Sequence, residues 1–140
     1  DVTGITTNEF VPADVVMDFV TKTKIDALAV AAGTNHGTVK GMGGLNIARL
    51  AELSNAVDVP LVLHGGSKLS REDCRLVIDN GIAKINIATD MSLSAAERLR
   101  TELAKSPSAN YIHLMTSAKK GVKDLVRKYM LNFDCISRAI

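Results

Sequence analysis

Cysteine is scarce: the chain has two, Cys74 and Cys135, and they form neither a metal-ligand pattern nor a disulfide framework. A reduced, cytoplasmic compartment is the expectation that follows. Charge of one sign is missing too. Seventeen Lys and Arg against 15 Asp and Glu leave a formal net charge of +2. The basic residues are scattered, with no cluster beyond Lys119 and Lys120. Nucleic acid and an anionic membrane surface are therefore not expected partners. No apolar run approaches the ~20 residues that cross a bilayer. The opening "DVTGITTNEF" has neither the basic start nor the apolar centre of a signal peptide. It also lacks an initiator Met, so an upstream part is expected to be missing. There is no linker, repeat or low-complexity stretch, and no G-x-G-x-x-G opens a helix. "GMGG", residues 41–44, sits in a loop with the wrong spacing.

What is present is a regular alternation. The 140 residues are 46% hydrophobic, enough for a packed core in one domain or a piece of a larger one. "NEFVPADVVMDFVTKT" reads as a helix, with Pro12 near its first turn and Val15, Val16, Phe19 and Val20 on one side. "IDALAVAAG" is a near-continuous apolar run, as a buried parallel strand requires. After the Gly-rich "NHGTVKGMGG", the stretch "LNIARLAELSNAV" is an amphipathic helix with Leu50, Leu53 and Val57 in register. "PLVLHGG" is a second strand. "SREDCRLVIDNG" is a helix with Ser70 as N-cap, Asp73 as its capping-box partner and Gly81 as its stop. "IAKINIATD" is a third strand, and two helices follow, "SLSAAERLRTELAKS" and "YIHLMTSAKKGVKDLVRKYMLNF".

Alternating strands and helices imply a parallel α/β sheet with right-handed crossovers. Three strands alone would leave both edges open. Either an open doubly wound sheet or part of a (β/α)8 barrel follows. The loops favour the barrel, because chemically capable residues succeed each strand: His36, then His64, then Asn86 to Asp90. That is the face on which barrel active sites are built.

His36 and His64 lie one βα unit apart. Imidazole is a good zinc ligand, yet a catalytic zinc takes three protein ligands, so the pair is one short. The other reading is two rim histidines with local hydrogen bonds. His113, between late helices, fits a helix-surface or packing histidine better than a third ligand. Gly65, Gly66 and Ser67, with Gly37, either offer N–H groups and a hydroxyl to a phosphate or make a tight strand-to-helix turn. Period-two alternation places Lys84, Asn86 and Ala88 on one face of the third strand, with Ile85, Ile87 and Thr89 on the other. The polar ladder serves a substrate, or else a Lys84 ion pair and an Asn86 turn cap.

"IDALAVAAGTNHGTVKG", "VDVPLVLHGGSKLSREDCRLVIDNGIAKINIATD" and "AKKGVKDLVRKYM" together resemble the class II, zinc-dependent ketose-bisphosphate aldolases, in particular the short branch acting on tagatose 1,6-bisphosphate. The likeness covers nearly the whole chain, in order, and implies that residues 1–140 are the C-terminal half of such a TIM barrel, strands 6 to 8 with their helices. It implies a lyase that reversibly cleaves the sugar bisphosphate to dihydroxyacetone phosphate and glyceraldehyde 3-phosphate, with the fructose bisphosphate as the alternative substrate. A non-catalytic half-barrel subunit or fragment is a second alternative. By the same resemblance, His36 and His64 are two of three Zn²⁺ ligands. Gly37, Gly65, Gly66 and Ser67 contact the phosphorylated three-carbon unit. Asn86, Ile87, Ala88 and Thr89 form the second substrate-binding stretch, and Asn86 contacts the enediolate. The third zinc histidine and the proton-donating aspartate belong to the N-terminal half, the expected partner, and homo-oligomers are common in the family. Lys68 stands where Gly often follows "HGGS"; it adds positive charge near a phosphate or faces water.

Overall fold

In the computed structural model, the structure describes residues 11–31 and 45–136. Helix α1 (Ala13–Thr23) is followed by β1 (Leu28–Val30), α2 (Ile47–Ala56), β2 (Leu61–Leu63), α3 (Arg71–Asp79), β3 (Ile82–Ile85), α4 (Thr89–Lys105) and α5 (Tyr111–Asn132). The three strands form a parallel sheet in the order β1-β2-β3. The alternation read from the sequence is therefore the observed architecture.

The middle strand is buried along its whole length, which is why it reads LVL. Leu28, Leu61 and Ile82 share one row across the sheet, and Val30, Leu63 and Ile85 share another. Val30, Leu61, Leu63 and Ile82 join Leu50, Leu53 and Val77 from α2 and α3 in the core, with Leu28 and Ile85 packed against it. Between those rows lies Ala29, Val62 and Lys84, whose alternation sends them to the opposite face. A register shift between Leu61 and Val62 makes this possible. It skips Ala83, so Lys84, rather than a small residue, is delivered to the second face.

Local signals explain the helix ends. Ser70 Oγ accepts from Asp73 N–H at 3.0 Å, and Asp73 Oδ2 accepts from Ser70 N–H at 3.1 Å. The capping box expected from the sequence is thus complete. Asn46 caps α2 and Asn110 caps α5 by a single bond each, accepting from Arg49 N–H and His113 N–H. Gly81 follows α3 at φ +97°, and a Cβ there would lie 2.0 Å from Ser54 Oγ. The buried Arg49 ties α2 to the start of α1 through Val11 O and also pairs with Glu52.

Some expectations shift. Val16 packs on the core, but Val15 and Phe19 are half exposed, so only part of the expected α1 face is covered among the described residues. The third strand, expected to run to Asp90, ends at Ile85, and α4 begins at Thr89 instead of near Ser92. The reason is that Asn86 N–H makes the last bond across to β2, to Leu63 O at 3.0 Å. Beyond it the chain turns into a helix.

Helices α4 and α5 pack on each other, with Gly121 of α5 set tightly against Ser94 and Arg98 of α4. A Cβ there would sit 2.4 Å from Arg98 Cγ. Ser94 Oγ donates to Gly121 O, and Arg98 pairs with Asp124 at 2.9 Å. His113 lies exposed on α5 with Nε2 2.7 Å from Glu102 Oε1, a surface role as the sequence suggested. That contact holds the Glu102 carboxyl below its usual range.

Candidate active site

The site is assembled from two strand ends. His64 N–H donates to Val30 O at 3.3 Å, so the parallel ladder continues one residue past β2. Extending the register of Leu63 with Ile85 by one step sets His64 beside Asn86. By alternation both belong to the Val62–Lys84 face, away from the helix-packed core. Sheet geometry separates such neighbours by about 4.8 Å between strands. An imidazole and a carboxamide are thereby brought to one rim.

Lys84 Nζ lies 2.7 Å from Asn86 Oδ1. An ammonium group only donates, so the amide oxygen must face it and the two Nδ2 protons point the other way. Lys84 therefore orients Asn86 as a hydrogen-bond donor. The ion pair considered for Lys84 is absent among the described residues.

The loop after β2 is bound to the segment after β3. Gly65 adopts φ +74°, a left-handed conformation suited to glycine. Gly66 is buried, and its N–H donates to Asn86 O at 3.0 Å. A Cβ on Gly66 would lie 2.1 Å from Ile85 Cγ2. Gly66 is thus required for close backbone approach, and its N–H is occupied by Asn86. Ser67 Oγ accepts from Asp90 N–H at 3.3 Å. Since α4 has no side-chain cap of its own, Ser67 supplies one from the preceding unit.

Lys68 is the unusual member. It is exposed at φ +67°, which costs a non-glycine residue about 1 kcal/mol. Its N–H donates to Asp90 Oδ2 at 2.8 Å and lies 3.2 Å from the Tyr129 hydroxyl oxygen. The Tyr129 O–H donates to the same carboxylate oxygen. Burial, then the hydrogen bond to Asp90, pushes the Tyr129 phenol well above its ordinary pKa.

Among the residues expected to act, the structure brings together His64, Gly65, Gly66 and Ser67 with Asn86, Ile87, Ala88 and Thr89. His36 and Gly37 lie outside the described residues. No three His, Cys, Asp or Glu side chains form a metal-binding group among the described residues. Sequence reasoning passed over Tyr129, and it named Asp90 only as the end of the Asn86-to-Asp90 stretch, with no role of its own. Asp90 ends the quoted "IAKINIATD" and was within reach of a motif reading. Tyr129 carries no local signal, because its partner is 39 residues away.

The model of the family fructose-bisphosphate aldolase class-II matches residues 4–138. The chain belongs to the class II fructose-bisphosphate aldolase family. The chain is 44% identical over 112 residues to the D-tagatose-1,6-bisphosphate aldolase subunit GatY of Klebsiella oxytoca, covering 79% of this chain and 39% of that protein. It superposes on the YdjI aldolase of Escherichia coli K12 with a TM-score of 0.76 at 31% identity, over 94% of this chain and 48% of that one. The fructose-bisphosphate aldolase of Campylobacter jejuni shares the fold, with a TM-score of 0.68 at 20% identity, over 91% and 45% of the two chains. The chain thus spans less than half the length of each of these relatives. Among the described residues, no helix is long and apolar enough to cross a membrane.

Proposed function

We propose that this chain is the C-terminal half of a zinc-dependent (β/α)8-barrel aldolase that cleaves tagatose 1,6-bisphosphate into dihydroxyacetone phosphate and glyceraldehyde 3-phosphate. One observation carries the reading: His64-Gly-Gly-Ser and Asn86-to-Thr89 are laced together at adjacent strand ends, in a chain of the aldolase family. The 44% identity to a tagatose-bisphosphate aldolase subunit supports the sugar, and the fructose bisphosphate is the alternative. The N-terminal half of the barrel is the required partner, in a cytoplasmic homo-oligomer.

Aldol cleavage breaks the C3–C4 bond. The C4 hydroxyl loses its proton as C4 becomes an aldehyde, and the electron pair passes to the three-carbon unit as an enediolate that is then protonated at C3. Asn86, oriented by Lys84, directs its Nδ2 protons toward the oxygen where that charge develops. Ser67 accepts the Asp90 N–H, so its own O–H is available to donate to a phosphate oxygen. Gly65 would keep the backbone bare beside the phosphate, as Gly37 would by the family pattern, while Gly66, its N–H given to Asn86 O, holds the two strand ends together. Ile87, Ala88 and Thr89 would complete the wall. Held this way, the three-carbon unit is presented in one orientation. The proton is moved by an aspartate from the N-terminal half.

The donor chemistry suits zinc: His64 brings an imidazole to the rim, and His36 and a histidine from the N-terminal half would complete three ligands. A bound Zn²⁺ supplies Lewis acidity toward the carbonyl end of the substrate. The test is to assay the full-length protein on both sugars, with metal analysis, EDTA treatment and zinc re-addition. Zinc-restored cleavage of the tagatose sugar in preference to the fructose sugar is expected. Cleavage indifferent to EDTA, or of neither sugar, overturns the reading.

A further inference from the structure

We infer that Tyr129 is a positioning residue for the phosphate loop, acting through Asp90. This rests on the aldolase reading above. Three elements meet here: the loop after β2, the first turn of α4, and the last turns of α5. The Asp90 carboxylate oxygen accepts both Lys68 N–H and Tyr129 O–H, while Asp90 N–H donates to Ser67 Oγ. Tyr129 is buried, and its ring lies 5.6 Å from that of Phe133, so its hydroxyl has a fixed origin.

The clamp has two consequences. First, Lys68 at φ +67° does not hold its backbone conformation by intrinsic preference. Its N–H is anchored by Asp90 and flanked by the Tyr129 oxygen, which holds the turn. Second, a carboxylate beside a phosphate loop would repel the ligand. Here Oδ2 is engaged by two donors, the Lys68 N–H of the loop and the Tyr129 phenol of α5, which together offset part of its charge. Fixing Asp90 fixes its N–H, and that N–H fixes which lone pair of Ser67 is used. The Ser67 proton is left for the ligand. Tyr129 touches no reacting atom in this scheme. It sets where Ser67 stands.

The experiment compares the full-length aldolase with its Tyr129→Phe, Asp90→Asn and Asp90→Ala variants. It reads kcat, KM, competitive inhibition by inorganic phosphate, and hydrogen exchange at the Lys68 amide. Tyr129→Phe is expected to raise KM and the inhibition constant of phosphate about fivefold, with kcat within about twofold, because one hydrogen bond to the Asp90 carboxylate is lost and only part of that loss reaches the ligand, through Ser67. Lys68 amide exchange accelerates in parallel. Asp90→Asn keeps an acceptor oxygen and loses less phosphate affinity than Asp90→Ala. Unchanged phosphate inhibition and unchanged Lys68 exchange in Tyr129→Phe would overturn the clamp. So would equal losses in Asp90→Asn and Asp90→Ala, a comparison that serves even where Tyr129→Phe fails to fold. A parent enzyme that cleaves neither sugar defeats the aldolase reading instead; phosphate binding and Lys68 exchange then decide the clamp separately.

Discussion

Gly66 donates its N–H to the carbonyl of Asn86 at 3.0 Å, with Ile85 so near that a Cβ on Gly66 would stand 2.1 Å from Ile85 Cγ2. This contact joins the two strand ends that carry the candidate site. Gly66→Ala must push Ile85 away or break the bond. It is expected to destabilise the fold by about 1–3 kcal/mol, the usual cost of overpacking. Urea midpoints measure this. Because the nearest obstacle is the Ile85 side chain, with the Asn86 carbonyl oxygen next at 3.1 Å, part of the cost of Gly66→Ala should be relieved in an Ile85→Ala background, a coupling visible in a double-mutant cycle.

Asn86 and Lys84 form the second prediction. Asn86→Ala in the full-length protein removes the donor proposed to face the developing charge and should lower kcat by about 10²–10³, as for loss of an oxyanion-stabilising donor. Lys84→Met keeps Asn86 but releases the bond that orients it. A smaller fall in kcat than in Asn86→Ala is expected. If Asn86→Ala keeps full kcat, the role assigned to Asn86 is wrong.

The raised pKa of Tyr129 makes an alkaline prediction. In the folded protein the buried phenol keeps its proton, while in the unfolded chain a tyrosine ionises near pH ~10. The folded state then binds more protons than the unfolded one. Stability is whole below pH ~10 and falls as pH rises from there toward the folded value. Tyr129→Phe should make that fall shallower and delete the latest phenolate absorbance change in an alkaline titration. A Tyr129→Phe titration identical to the parent's would show the phenol is not held this way.

Ser70 gives a local prediction. Its hydroxyl accepts Asp73 N–H, and its N–H is met by the Asp73 carboxylate. Ser70→Ala should cost about 1 kcal/mol by thermal or urea unfolding. Ser70→Asp, another good cap, should recover most of it. Neither change should alter kcat much, because the box stabilises α3 without touching the proposed substrate.

Much of the candidate site was readable along the chain because its members are adjacent in sequence. "HGGS" and "NIAT" are each a strand end, and strand ends on one side of a parallel sheet share a rim whatever the detailed packing. Two features resisted such a reading. The end of β3 depends on where cross-strand bonding stops, at Asn86, and the apolar pattern through Ile87 gives no sign of it. The second face of β3 depends on a register shift that no periodicity announces.

The sequence by itself determined the parallel α/β alternation, the capped helices and the run of glycines that lets two backbones approach. These follow from hydrophobic spacing and from the conformations that Ser, Gly and Pro allow locally. Only the tertiary structure decided that Asp90 would face Lys68, that Ser67 would cap a helix from the next unit, and that Tyr129 would close the cluster. Those contacts join residues 22, 23, 39 and 61 positions apart, and hydrogen bonds over such separations exist only once the core has packed α5 against the sheet's helices.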